Sequence, residues 1–285
     1  MTQMIDRLAD IADRFDAIVF DQWGVLHDGT TPYSGVPDAV AALADSGKAL
    51  AVLSNSGKRA APNAERIAAK GYPTSFFRVI MTSGEALWLD LLEDGGSLKL
   101  FPITRDDGDA TAWAAGLDCV ELVTSFEGAD ALLLMGLPDA GASDEVEQAL
   151  AHALSEDMPV YCSNPDRASP RAGGATVVSP GEFAHRHKDA GGAVHFYGKP
   201  HLPIFERLQA ELGLPADRIL MVGDSLEHDI AGAKTAGWAS LFVEGGLYAR
   251  HFGSHDQTSD RAADLQELCR LQQRAAPDFS IPIVN

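Results

Sequence analysis

Ala17-Ile18-Val19-Phe20-Asp21-Gln22-Trp23-Gly24-Val25-Leu26 is the stretch whose reading decides the fold. Its four consecutive apolar residues have the length and character of a buried strand. The carboxylate of Asp21 then emerges where that strand ends. The same device recurs far along the chain, where Ile219-Leu220-Met221-Val222 runs into Gly223-Asp224-Ser225, with Asp229 just beyond. Between the two stretches, apolar blocks of strand length alternate with amphipathic segments of helix length, the pattern of parallel βα units.

Working outward, strands are expected at 16–21, 49–53, 79–81, 98–101, 119–123, 131–135, 160–162, 176–178, 194–197, 218–222 and 240–243. Helices are expected at 36–46, 63–70, 84–92, 143–155, 203–212, 227–236 and 262–274. Gly47 and Gly71 stand where helix C-caps belong, and Ser143 where an N-cap belongs. Turn clusters at Glu93-Asp94-Gly95-Gly96 and Ala190-Gly191-Gly192 bracket the middle of the chain. The expected organisation is a doubly wound, parallel-sheet α/β core from residues 1–93 and 193–285, with a smaller α/β domain, 94–192, inserted into it.

Composition narrows the function. The chain has 285 residues, 46% of them apolar, enough for a sizeable core. A formal charge of −19 argues against a polyanion such as nucleic acid as partner, though a local metal and lysine can make a pocket for a small phosphate ester. Cys119, Cys162 and Cys269 are odd in number and widely spaced, which indicates buried thiols rather than a disulfide framework or zinc site. No apolar run approaches the ~18 residues of a membrane span, and residues 1–15 lack the apolar stretch of a signal peptide. A cytoplasmic protein without membrane partners is expected, with a homodimer among its admissible states.

Parallel sheets present ligands to the loops that leave the C-terminal ends of their strands. Four such loops carry related cargo. Asp21 closes the first strand, and Ser54-Asn55 follows the second, offering a hydroxyl, an amide and backbone N–H groups to an anion. Lys199 lies between a strand and a helix, and Asp224 and Asp229 follow the strand ending at Val222. An oxygen-only carboxylate set suits Mg²⁺. Each loop alone reads more readily as ordinary turn or surface chemistry. Four in this order point to metal-assisted phosphoryl transfer.

These residues resemble the motifs of the haloacid dehalogenase superfamily, in its class IIA branch of sugar- and nucleotide-type phosphatases. Asp21 to Leu26 is similar to the first motif and Leu53-Ser54-Asn55 to the second. Gly198-Lys199-Pro200-His201 matches the third, and Gly223-Asp224-Ser225 to Asp229 the fourth. Within the insert, Cys162-Ser163-Asn164-Pro165-Asp166-Arg167 and Ser179-Pro180-Gly181 resemble cap segments of that branch. The resemblance implies that Asp21 is a nucleophile forming an aspartyl-phosphate. It also implies that Asp21, Asp224, Asp229 and the Trp23 carbonyl hold Mg²⁺, with Ser54 and Lys199 on the phosphoryl oxygens. Asn55, Asn164 and Arg167 are the expected substrate contacts, alongside Asp166; a surface turn built on Asn-Pro accounts for the cap residues equally well.

Trp23 departs from the pattern. Phosphatases of the superfamily usually carry Asp there as general acid and base, and losing such a group costs ~10²–10⁴-fold. His27 or Asp28 could substitute, or both could be ordinary flap-loop residues. Lys58 and Arg59 are further candidates to face substrate. His185 and His187 alternate along an expected helix and so do not share a face. The expected activity is Mg²⁺-dependent hydrolysis of a small phosphomonoester. The alternatives are a weakly active or non-catalytic protein that binds a phosphorylated ligand, and a metal-independent dehalogenase, which the metal-type fourth motif disfavours.

Overall fold

The computed structural model describes residues 2–138, 141–170, 176–253 and 258–285. Its first strands are β1 (Gln3–Met4), β2 (Ala17–Phe20), β3 (Ala49–Ser54) and β4 (Phe77–Thr82). Next come β5 (Leu98–Ile103), β6 (Val120–Leu122), β7 (Ala131–Leu134) and β8 (Val160–Cys162). The short pair β9 (Ala168–Pro170) and β10 (Thr176–Val178) precedes β11 (Val194–Phe196). The last strands are β12 (Ile219–Gly223), β13 (Ala239–Val243) and β14 (Phe279–Ile281). The helices that matter below are α1 (Val36–Asp45), α2 (Ala60–Ala68), α3 (Ser83–Asp94), α4 (Pro180–Asp189), α5 (Leu202–Leu212) and α6 (Thr258–Gln272).

The chain divides into two compact units: Met1–Ser54, Ala64–Met81 and Phe205–Asn285 form one, and Asn55–Asn63 with Thr82–Ile204 the other. A seven-stranded sheet, ordered β1-β14-β13-β12-β2-β3-β4, organises the first. The pairings β1–β14, β14–β13, β13–β12, β12–β2 and β2–β3 are all parallel. Such strands are covered on both faces, which is why β2 and β12 are apolar throughout and fully buried. Leu241 and Val243 join Ile18, Phe20 and Leu220 in one core, whereas the intervening Phe242 packs with Leu226, Ile230 and Leu265 in another. That alternation places an apolar layer on each face of the sheet.

The second unit repeats the plan around five parallel strands, ordered β11-β8-β7-β5-β6. Leu132 and Leu134 enter one core with Val146, Leu150 and Phe183; Ala131 and Leu133 enter another with Leu87, Leu91 and Trp113. The expected α/β class and doubly wound parallel architecture are borne out. Residues 82–93 and 193–204, read from sequence as core, cluster with the second unit, as do 55–63. The physical reason is packing: Leu87 and Leu91 of α3 cover the five-stranded sheet, and β11 is its edge strand.

Local signals explain most element ends. Val36, Val40 and Leu43 form the buried stripe of α1, and Gly47 follows its last turn at φ 80°. Thr82 caps α3 by accepting the Glu85 N–H at 3.0 Å. Helix α2 starts at Ala60, earlier than the expected 63, because Pro62 in its first turn lacks only an N–H that a helix leaves unpaired there. The expected helix 227–236 is a π-helical turn, Leu226–Ile230, followed by a short α-helix, Ala231–Thr235.

Candidate active site

In the first unit, β12 lies beside β2 with Val222 opposite Phe20, and the Asp21 N–H extends the ladder to the Val222 carbonyl at 2.9 Å. Asp21 and Asp224 therefore leave neighbouring parallel strands at the same end. Because β2 has β12 on one side and β3 on the other, this end is also where a doubly wound sheet opens a crevice. The π-helical turn after Ser225 returns Asp229 to the same place. One carboxylate oxygen from each of Asp21, Asp224 and Asp229 lies within 4.8 Å of the others.

Asp224 and Asp229 are buried, at 3% and 1% exposure, so their placement has to be built in. Asp229 Oδ2 accepts the Ser225 N–H at 3.1 Å, and Asp224 Oδ2 accepts the Leu247 N–H at 2.7 Å. Three glycines make the space. A Cβ on Gly24 would stand 1.7 Å from Asp224 Oδ2, one on Gly246 2.3 Å from the same atom, and one on Gly223 2.2 Å from Asp229 Cβ. The donor set is all carboxylate, with no softer ligand, and fits a hard divalent cation. Ser54, the last residue of β3, leaves at this end too, since Val52 pairs with Phe20.

The flap after Asp21 folds back on itself. Gln22 accepts the N–H groups of Leu26 and His27, and the Trp23 indole lies against Gly29, where a Cβ would meet its Nε1 at 2.6 Å. Tyr72, fully buried, donates its hydroxyl to the Leu26 carbonyl at 2.5 Å, and Lys70 donates to the carbonyls of Gly29 and Thr30. His27 is buried, and its Nδ1 accepts the Gly29 N–H at 3.0 Å. Burial, then Lys70, pull its pKa down to about 4, against Asp21 and Asp28, which pull it up. Asp28 Oδ1 accepts the Thr31 and Thr30 N–H groups and Oδ2 the Thr31 hydroxyl; the Thr31 and Thr30 N–H bonds hold its carboxyl below the usual range.

The second unit holds the other expected residues. Lys199 is buried at 3% exposure. Asn55 Oδ1 accepts the Lys199 N–H at 2.7 Å, and Asn55 Nδ2 donates to the Lys199 carbonyl at 3.1 Å and to Asp166 Oδ1 at 2.7 Å. Asn164 Oδ1 accepts the Asp166 N–H at 3.2 Å, an Asx-type turn. Exposed Arg167 pairs with Glu182 of α4 at 2.9 Å. Lys58 is paired with Asp109 at 2.8 Å; Arg59 forks onto Glu85 and lies 3.7 Å from the Trp88 ring centre. His187 is buried while His185 stacks on Phe196, so the two rings take separate surroundings.

Leu247, Gly246, Tyr72 and Lys70 were absent from the residues singled out in the sequence. Only Glu244-Gly245-Gly246, a glycine turn directly after a strand, signalled a further loop at the strand ends.

Residues 18–117 match the haloacid dehalogenase-like hydrolase family, and residues 196–268 a HAD-hydrolase-like family. The chain belongs to the haloacid dehalogenase-like hydrolases. It is 27% identical over 250 residues to chronophin of Bos taurus, covering 84% of each chain. With glycerol-3-phosphate phosphatase of Gallus gallus it shares 26% identity over 292 residues, 93% of this chain and 88% of that one. A haloacid dehalogenase-like hydrolase from Brucella suis 1330 superposes with a TM-score of 0.78 at 27% identity, covering 99% of this chain and all of that one. Among the described residues, no helix is long and apolar enough to cross a membrane.

Proposed function

We propose that this protein is a Mg²⁺-dependent phosphomonoester hydrolase of small phosphorylated metabolites, of the class IIA type, with its cap built on the five-stranded sheet and so reaching beyond the 94–192 expected from sequence. The observation that carries the proposal is the convergence of Asp21, Asp224 and Asp229 at the ends of adjacent strands. Similarity to a glycerol-3-phosphate phosphatase along most of the chain supports the substrate class.

On this reading Asp21 attacks the phosphorus as the P–O bond to the substrate's alcohol breaks and the alcohol leaves, and water then cleaves the aspartyl-phosphate to inorganic phosphate and free Asp21. Asp21, Asp224, Asp229 and the Trp23 carbonyl would hold the cation, which would offset charge on the phosphoryl oxygens. Asp224 and Asp229 are each held by one oxygen, Oδ2, which accepts the Leu247 and the Ser225 N–H respectively. Ser54 donates a hydroxyl to the phosphoryl group, and Lys199 supplies a positive charge in a strongly acidic protein. Asn164 and Arg167 belong to the cap's recognition of the rest of the substrate.

The test is phosphate release from p-nitrophenyl phosphate with Mg²⁺ or with chelator, alongside Asp21→Asn. Wild type is expected to turn over only with Mg²⁺, and the variant to fall to background. Retention of most activity by Asp21→Asn sinks the covalent route; activity indifferent to chelator removes the metal.

A further inference from the structure

The amide of Asn55 grips a residue 144 positions away. One end takes the Lys199 N–H and the other gives a proton to the Lys199 carbonyl, so both backbone groups of one residue are gripped by a single side chain. Its second N–H goes to Asp166 Oδ1 at 2.7 Å. A primary amide has two N–H donors, and both are spent inside this unit. With Nδ2 facing the Asp166 carboxylate oxygen, Oδ1 is left for the Lys199 N–H.

The surroundings tighten the same point. A Cβ on Gly198, next to Lys199, would come within 2.3 Å of Pro165 Cδ and 2.6 Å of Ser83 Oγ. Asp166 is itself held, its N–H on Asn164 Oδ1 and its carbonyl accepting the Gly181 N–H at 3.0 Å. Lys199 thus sits on a backbone with little freedom, and its ammonium, on a flexible four-carbon stem, is aimed by that backbone.

We propose that Asn55 is a positioning residue that acts on the phosphoryl group through Lys199, with Asp166 locking the amide, and that it does not touch the substrate. The proposal rests on the phosphatase reading above. Losing the clamp leaves the ammonium in place chemically but displaced, and misplacements of ~1 Å cost about 10²-fold.

The test is a donor–acceptor swap. Asn55→Asp keeps the acceptor for the Lys199 N–H but loses the donor to the Lys199 carbonyl and sets two carboxylates against each other; kcat/KM on p-nitrophenyl phosphate is expected to fall about 10²-fold. Adding Asp166→Asn restores the bond with its polarity reversed and is expected to recover about tenfold, within the coupling range of contacting side chains. Amide exchange at Lys199, read by NMR, should speed up in Asn55→Asp and slow again in the double variant. Restored exchange without any recovery of rate would mean that Asn55 serves the substrate directly, and the proposal falls. It falls equally if exchange at Lys199 ignores Asn55→Asp. Should Asn55→Asp fail to fold, Asp166→Ala, which releases the amide without adding charge, must show the same faster exchange. A wild type that releases no phosphate sinks the phosphatase reading alone, since exchange at Lys199 still decides the clamp.

Discussion

On the proposed reading, Trp23 puts an indole where related phosphatases would protonate the leaving group. Neither neighbour is well placed to replace a carboxylic acid. His27 spends Nδ1 on the Gly29 N–H and holds a proton weakly, its pKa near 4, while Asp28 has both oxygens bonded within its own turn. Departure with little protonation makes the rate depend steeply on leaving-group pKa. Aryl phosphates are expected to be cleaved at least ~10²-fold faster than alkyl phosphates of similar size, with a burst of p-nitrophenol before slow turnover. Comparable rates on the two esters would place an acid elsewhere. A second prediction concerns Gly24, at φ 86° with no room for a side chain beside Asp224. Millimolar Mg²⁺ is expected to raise the melting temperature of wild type, and Gly24→Ala is expected to cost roughly 1–2 kcal/mol in backbone strain and to abolish that rise. An undiminished Mg²⁺ response would remove Asp224 from the cation site. Asp21 and Asp224 were legible because each follows an apolar strand, and a parallel strand end holds such a residue at a crevice; Asp229 was legible only through its place in the motif that begins at Gly223. The Leu247 N–H and the Asn55 grip on Lys199 were not, because a backbone donor has no signature and a contact across 144 residues leaves none in local pattern.

Elements carry the flap and the strand-end loops to their places. The flap from Gln22 to Tyr33 has no regular structure of its own and depends on a buried phenol reaching the Leu26 carbonyl. That carbonyl also accepts the Tyr33 N–H at 3.2 Å, so Tyr72→Phe leaves it partnered. The expected loss is therefore about 0.5–1.5 kcal/mol, measured by urea unfolding; a loss above ~3 kcal/mol would show that the flap depends on this bond far more than its geometry indicates. The loop that presents the Leu247 N–H begins at Glu244, whose buried carboxylate takes a two-bond fork from Arg261 of α6, both at 2.9 Å, and the Ser280 hydroxyl at 2.7 Å. Arg261→Met strands a buried carboxylate and should cost about 3–5 kcal/mol; Arg261→Met with Glu244→Gln should recover much of that. No recovery would mean that Arg261 matters for packing alone. Apolar periodicity revealed most of these elements. It missed β14 and set α2 late, since a three-residue strand offers too little pattern and Pro62 reads as a breaker unless its place in the first turn is known.

For the whole molecule, the repeated βα pattern announced two parallel sheets, because strands buried on both faces are apolar throughout and stand out between amphipathic helices. Where the units divide was less legible: α3 belongs by packing to the five-stranded sheet, and amphipathicity tells that a helix covers a sheet without telling which one. Each unit buries a histidine, and this links stability to pH in a definite direction. Burial lowers the pKa of His27, in the first unit, from 6.5 to about 4, and lowers that of His187 in the second. A folded-state pKa below the unfolded value means that the unfolded chain binds more protons, so stability is whole above pH ~6.5 and is lost on acidification. For His27 the loss runs from pH ~6.5 down to its folded value near 4 and reaches on the order of 3 kcal/mol. The exposed carboxylates of Asp16 and Asp28, held low by Arg218 and by the Thr31 and Thr30 N–H groups, act in the same direction but only at more acid pH. Urea unfolding at pH 7.5 and pH 5 is therefore expected to show a clear loss of stability at the lower pH. His27→Gln, which accepts the Gly29 N–H without titrating, should flatten part of that slope in the first unit, and His187→Gln the remainder in the second. A pH dependence unchanged in both variants would show that neither ring is held neutral by the fold, and that the acid sensitivity of this protein comes from its carboxylates alone.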